Sequence, residues 1–503
     1  MSNSKVKTIL IVGGGTAGWM TAIAIASVLK QDNVQITLIE SREVGIVGVG
    51  EATLPHIRYF IQSLGIDERE FVAATDATIK LGIEFVDWGC KGDRYIHPFG
   101  EYGLPNDGIA FHHFYNKFKE MSPICDYSLP VVAAKKGKFY PPSKNLSSVN
   151  STYQFAYQFD ATKFAPFLRK KSEKLGVKRV EGKIIDVKKH ADGNIASVST
   201  EDGRCLEADF FVDCSGFSGL LVDKALGTKW QSWAEWLPCN RAVVAPCEHA
   251  GPLLPYTRAT AKEFGWQWRI PLQTRTGNGY VYSSQFAKDV EVEEQFASSL
   301  EGDMLADLRV LRFETGRREK FWNRNCVSIG LSGGFLEPLE STSIYLIQQG
   351  ITYFLELFPE DVESPIRANE YNRMMDMEFE RIRDFLILHY YATEREDSSF
   401  WKHMKNLKIP HSLSEKIELF RERGYVESYK YGLFLEPSWV AVYYGQGIIP
   451  CNYDSRVDLF PSHEIETNLN KLRRHIEIAA NNMMSHDRWL KQYIESFSTG
   501  RLN

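Results

Sequence analysis

The first hydrophobic run of the chain, Thr8-Ile-Leu-Ile-Val12, shows no polar alternation and is rich in β-branched residues. That is the pattern of a strand buried on both faces of a parallel sheet. It runs directly into Gly13-Gly14-Gly15-Thr16-Ala17-Gly18. Beyond the glycines, 16–30 reads as a helix with few charges, and 34–39 reads as a second strand closed by Glu40. This order predicts an α/β unit of the dinucleotide-binding kind. Gly13, Gly15 and Gly18 let the backbone approach a pyrophosphate, the helix start at Thr16 and Ala17 offers N–H groups and a positive dipole end, and Glu40 accepts hydrogen bonds from a ribose.

Further along, 44–55 is apolar and glycine-rich, and Gly45, Gly48 and Gly50 suit either a backbone lying against a flat ligand or a buried turn. Stretch 78–88 alternates, with Ile79, Leu81, Ile83 and Phe85 on one face and Lys80, Gly82 and Glu84 on the other. It is predicted as one strand with Lys80 on the side away from the core. Tyr95-Ile-His-Pro-Phe-Gly100, with His113 behind it, has the composition of an aromatic pocket lining. Segment 181–216 predicts a β-meander: 184–188 and 195–200 joined at Asp192-Gly193, a second turn at Asp202-Gly203, then a strand over 206–212 ending in Asp213 and glycines. Residues 325–334 repeat the strand-into-glycine pattern.

Trp266, Trp268 and Ile270 recur at period two, so a strand there presents them as one rigid wall. Ser341 and Thr342 are candidate N-caps of a helix predicted over 343–357, with Glu340 just before it and free N–H groups that favour an anion. The remainder, from 363, is mainly helical. Ser412-x-x-Glu415 reads as a capping box opening a helix that ends at Gly424, and Ile465, Leu469, Leu472, Ile476, Ala480 and Met483 form a core stripe.

Composition narrows the class. A chain of 503 residues, 44% hydrophobic, has length for roughly three domains and apolar content for a large core. A net charge of −5 gives no sign of a nucleic-acid partner. No run of about 18 apolar residues is present to span a membrane, and the N-terminus lacks a signal-peptide pattern, so the expected location is cytoplasmic. Eight scattered cysteines without C-x-x-C or a His/Cys cluster predict reduced thiols and no metal site.

The glycine turn 13–18 together with Lys80, Trp266-x-Trp268-x-Ile270-Pro271 and Glu337-Pro-Leu-Glu340-Ser-Thr resembles the flavin-dependent tryptophan halogenase family, over nearly the whole chain. The resemblance implies an α/β (α+β) fold: a Rossmann-like, flavin-monooxygenase-type FAD module over 1–360 that carries the meander, and a mainly α-helical module over 361–503 covering the substrate pocket. It implies that reduced FAD, O2 and chloride or bromide yield hypohalous acid, which reaches Lys80 for electrophilic halogenation of an indole-like aromatic. Because a single G-x-G-x-x-G unit is evident, the reduced FAD is expected from a separate NAD(P)H:flavin reductase.

Carried over by position, the resemblance assigns FAD contacts to Gly13, Gly15, Thr16, Ala17, Gly18, Glu40, Gly48, Gly50 and Leu336. Halide falls to Thr342 and Ser343, where the family usually has glycine at the latter. Lys80 holds hypohalous acid by hydrogen bonding or as a haloamine; Glu340 stabilises the cationic arenium intermediate or takes its proton. Ser341 orients the arene or the reaction water, His97 and Phe99 line the indole pocket, and Trp266 and Trp268 keep substrate away from the flavin. Tyr443-Tyr444 resembles the tyrosine pair that anchors free tryptophan, but the family's acid and longer insertion are missing around it. The implied substrate is therefore free tryptophan, another indole or a carrier-bound aromatic, acted on by a monomer or homodimer. Two alternatives share part of the pattern: a flavin-dependent aromatic monooxygenase, which has no need of Lys80 and Glu340 together, and a non-catalytic FAD-binding protein.

Overall fold

The structure is a computed structural model that describes residues 5–29, 34–41, 50–359, 365–429 and 432–498. Gly45 and Gly48 lie outside the described residues, as does the expected module boundary at 360. Thr8–Val12 sits inside a six-stranded sheet, parallel to Gln35–Glu40 on one side and to Phe210–Asp213 on the other. Lys178–Glu181 and Cys326–Ser328 continue the parallel array outward. Burial of Ile9 through Val12 is complete or nearly so, as the unbroken apolar run requires. The first helix, Thr16–Val28, packs against Ala161–Lys174 and Ser343–Glu356.

The meander is present as Ile184–Lys189, Ile195–Thr200 and Cys205–Glu207, with Gly193 and Gly203 at φ +88° and +81° in its turns. The predicted strand 206–212 is two strands. Cys205–Glu207 closes the meander, and Phe210–Asp213 returns to the parallel sheet. Asp209 makes the break, because its carboxylate accepts from Lys7 N, Thr8 N and Thr8 Oγ1 at 2.8–2.9 Å.

A seven-stranded sheet runs in the order Arg309–Arg312, Arg241–Cys247, Thr276–Tyr282, Gly265–Pro271, Thr257–Lys262, Gly82–Val86, Arg94–Pro98. The predicted single strand over 78–88 is also two. Thr78–Lys80 pairs with Ala156–Asp160 in a small sheet that includes Gly50–Ala52, whereas Gly82–Val86 belongs to the seven-stranded one. Leu81 is the crossing point: its N–H goes to Pro255 O, and its carbonyl receives Phe99 N. Alternation correctly separated the side chains into two faces, but both faces are covered. Lys80 is fully buried.

After 364 the chain is dominated by Pro365–Tyr391, His411–Arg423 and Ser462–Asn482. One hydrophobic core runs through residues on both sides of 360. Gly424 ends its helix in the left-handed region at φ +67°. The capping box does not form, since Pro410 occupies the cap and Ser412 Oγ donates to Asp384 Oδ2 at 2.8 Å. The 465–480 stripe faces inward as periodicity predicts. Among the described residues no helix is long and apolar enough to cross a membrane.

Candidate active site

Lys80 is placed by the end of its short strand, where Thr78 Oγ1 donates to Pro271 O at 2.6 Å and ties one sheet to the other. Its ammonium donates to Ser341 Oγ at 2.7 Å and to Thr53 O at 3.1 Å, and it stands 5.2 Å from the Phe99 ring centroid. Burial brings Lys80 down to about 7, opposed by attraction to Glu340 and Glu51. Glu51 is pushed up to about 7 by its own burial, with Lys80 pulling the other way. Amine and ammonium are therefore both populated at Lys80 near neutrality.

Glu340 ends the short turn Pro338–Glu340 and is fully buried. His97 Nδ1 spans both carboxylate oxygens at 3.0 and 2.9 Å, and His389 Nε2 lies 2.8 Å from Oε1. Burial alone raises a carboxyl, yet these two imidazoles outweigh it and hold Glu340 at about 2. Ser341 follows in the left-handed region at φ +60°, which turns its hydroxyl to Lys80. Thr342 holds the N-cap position of the helix Ser343–Glu356, as expected, but no side chain makes a capping bond there. The Ser341 hydroxyl is spent on lysine, and Thr342 Oγ1 is buried without a partner. An orphaned hydroxyl beside the first-turn N–H groups of a 14-residue helix suits a small anion.

Around this pair the walls are aromatic. His97 packs edge-on to Phe385 at 5.7 Å and lies 6.0 Å from Phe434. Phe434 stacks on Phe385 at 3.9 Å, and Trp439 meets Phe385 edge-on at 5.1 Å. Trp266 and Trp268 are both buried on one strand, with ring centroids 6.0 Å apart. Trp266 Nε1 donates to Glu337 Oε2 at 2.8 Å, while Trp268 Nε1 has no partner.

The residues around the first strand fit a flavin nucleotide. A Cβ on Gly13 would lie 2.2 Å from Cys214 O, one on Gly18 would lie 1.8 Å from Gly13 O, and one on Gly14 would strike the Glu40 side chain. These close approaches pack the turn down, whereas a Cβ on Gly15 would meet no atom within 4 Å. The helix start is thus open at Gly15, with no acidic residue in its first turn. Thr16 and Ala17 follow as its first residues. Glu40 closes its strand and is held by Arg179 and by Trp19 Nε1 at 3.3 Å. Gly50 packs on Ile270 of the tryptophan strand. Leu336 and Ser343 line one cavity with Gly330, Gly334 and Ile347, so one residue expected at the flavin and one expected at the halide share it. Asp213 is not free for a ribose, since it accepts from Ser215 N, Leu221 N and Val222 N.

His389, Tyr390, Glu51, Phe385, Phe434 and Trp439 escaped the sequence reading. The i, i+4 pair Phe385 and His389 on one helix was a usable signal, but aromatic helix positions are ordinarily core. His113, read as pocket lining, packs instead beside His112 and accepts from Asp454 N. Tyr443 stacks on Phe420 at 4.1 Å, and Tyr444 OH is buried without a partner, so this pair is core packing.

The chain matches known proteins over most of its length. A family described as tryptophan halogenase matches residues 8–462. Tryptophan 7-halogenase RebH of Lentzea aerocolonigenes is 36% identical over 443 residues, covering 83% of this chain and 82% of the relative. Tryptophan 6-halogenase SttH of Streptomyces toxytricini is 37% identical, covering 89% and 91%. Among solved structures, BrvH, a flavin-dependent halogenase from Brevundimonas sp. BAL3, superposes with a TM-score of 0.94 at 40% identity, covering 97% of this chain and 99% of that one. Xcc4156, a flavin-dependent halogenase from Xanthomonas campestris, does so with a TM-score of 0.94 at 42% identity, covering 97% and 98%. With the glycine turn, the buried Lys80–Ser341 contact and the tryptophan pair in one fold, the chain belongs to the tryptophan halogenase family of flavin-dependent halogenases.

Proposed function

We propose that the chain halogenates an indole-type aromatic with chloride or bromide, using FAD reduced by a separate NAD(P)H:flavin reductase. Bound reduced flavin supplies, with O2, halide and a proton, the oxidising equivalent of hypohalous acid and a water. Gly13, Gly15, Thr16, Ala17, Gly18, Glu40, Gly50 and Leu336 hold the nucleotide. The N–H groups at Thr342 and Ser343 hold halide. Residues 361–503 act as the module that closes the substrate pocket.

Lys80 holds the hypohalous acid at Nζ, with Ser341 Oγ fixing its direction. His97 and Phe99 place the arene. As the ring carbon takes the halogen, the hydroxide leaves as water with a proton from the Lys80 ammonium, and positive charge develops on the ring. Glu340 is already ionised, so it meets that charge without reorganising and takes the ring proton. The observation that carries this reading is that Lys80 reaches Ser341, the residue next to Glu340, inside one fully buried site.

The test is purified protein with a flavin reductase, an indole panel and either halide, read by mass spectrometry. Halide-dependent product is expected from wild type. Lys80→Ala should abolish it while flavin binding stays intact, and Glu340→Gln should slow it about 10²-fold. Hydroxylated product without halogen would establish a monooxygenase instead.

A further inference from the structure

The turn at 337–340 carries two fully buried carboxyl groups, Glu337 and Glu340. Helix Pro365–Tyr391 meets each with one of two successive residues, His389 and Tyr390. Their surroundings are opposite in kind.

Among the described residues, Glu337 has donors around it but no cation paired with it. Tyr390 OH donates to Oε2 at 2.6 Å, Trp266 Nε1 donates to the same oxygen at 2.8 Å, and Oε1 is buried without a partner. A further titratable neighbour is the buried Cys239 thiol, which lies 3.7 Å from Tyr390 OH. A carboxylate taken out of water with no positive partner is so costly that the group keeps its proton instead. Burial accordingly pushes Glu337 up to about 7.

Glu340 is met by imidazoles. His97 Nδ1 faces both oxygens, and His389 Nε2 is 2.8 Å from Oε1. The other nitrogen of His389, Nδ1, lies 2.8 Å from Phe385 O, which can only accept, so Nδ1 carries a hydrogen. His389 faces the Glu340 oxygen through Nε2, without a squarely aimed hydrogen bond. Its other neighbours, Phe85, Trp88 and Phe385, are uncharged rings. Lys80 and Tyr95 are the further titratable groups that act on Glu340.

We propose that this turn holds its two buried carboxyl groups in opposite charge states: Glu340, faced by His97 and His389, is a carboxylate, and Glu337, buried with no paired cation among the described residues, is a neutral acid that Tyr390 positions to anchor Trp266. His389 and Tyr390 are positioning residues. The consequence for halogenation rests on the reading of Glu340 given above, whereas the charge assignment itself does not.

Two measurements on the full-length protein test it. Infrared difference spectra at pH 6 should lose a carboxylic-acid band in Glu337→Gln and lose none in Glu340→Gln. The reverse pattern, or no loss in either, overturns the proposal. In Tyr390→Phe the Glu337 acid band should remain and move in frequency as one hydrogen bond to Oε2 is lost. A band that vanishes, or one that does not move, overturns the proposal. If Tyr390→Phe does not fold, the pair of glutamate variants still decides. If Glu340→Gln halogenates at the wild-type rate, the catalytic reading of Glu340 fails while the infrared result stands on its own.

Discussion

Lys80 Nζ and Ser341 Oγ meet at 2.7 Å across 261 positions of sequence. The contact depends on backbone geometry, because Ser341 sits at φ +60°, a conformation that costs an L-residue about 1–2 kcal/mol. Ser341→Ala keeps that strain and loses a hydrogen bond, so it should destabilise by about 1 kcal/mol. Ser341→Gly loses the same bond but relieves the strain, and its net effect should be close to zero. Both should lower halogenation by roughly tenfold, since among the described residues Lys80 then keeps Thr53 O alone to direct it. Chemical denaturation and product formation measured side by side check this; wild-type turnover in either variant would show that the serine does not orient lysine.

Lys80 also links stability to pH. Its folded value, about 7, lies below the ordinary lysine value. Between the two the unfolded chain binds more protons than the folded one, so this contribution to stability rises with pH. Lys80→Met should therefore be favoured over wild type at pH 7, by an advantage that shrinks by on the order of 2 kcal/mol as pH rises to about 9. Urea unfolding of both proteins at the two pH values reads the difference. A pH-independent gap would mean that Lys80 titrates normally.

Much of this fold was legible because its signals are local. The run Thr8–Val12, the glycine turn and the strand ending at Glu40 each fix their neighbours, and the two turns at Gly193 and Gly203 announce themselves. Strand breaks were harder. At Leu81 and Asp209 the chain changes sheets because of partners far away in sequence, Pro255 in one case and Lys7 and Thr8 in the other. Capping failed for the same reason: the Ser341 and Ser412 hydroxyls found Lys80 and Asp384. His389 was invisible to local reading, since nothing near it in sequence says that a turn fifty positions earlier delivers a carboxylate to it. The choice of Lys80 and Glu340 came from family resemblance rather than periodicity, which had put Lys80 away from the core.

The glycine turn offers a separation of folding from binding. Gly13 has φ +115°, and its Cβ would lie 2.2 Å from the Cys214 carbonyl, so Gly13→Ala should unfold or severely destabilise the protein. Gly15 has φ −76°, and its Cβ would touch nothing. Gly15→Ala should melt within about 2 °C of wild type and yet bind FAD at least roughly tenfold more weakly, because the new methyl occupies space a phosphate needs. Calorimetry with flavin titration distinguishes the two variants. Unchanged FAD affinity in Gly15→Ala would remove the nucleotide from this helix start.

The tryptophan pair gives the last contrast. Trp266 and Trp268 are buried on the same face of one strand, and truncation to phenylalanine removes similar volume from each. They differ in the indole nitrogen. Trp266 Nε1 donates to the buried Glu337, whereas Trp268 Nε1 has no partner and its ring lies over Gly279. Trp266→Phe strips a donor from a buried carboxyl, which costs about 1–3 kcal/mol; Trp268→Phe removes a buried donor that was already unsatisfied. The cavity terms should largely cancel, so Trp266→Phe is expected to be the less stable variant by at least about 1 kcal/mol. Urea midpoints at pH 6, where Glu337 keeps its proton, make the comparison. Equal midpoints, or Trp268→Phe as the weaker variant, would mean that the bond to Glu337 does not hold the wall.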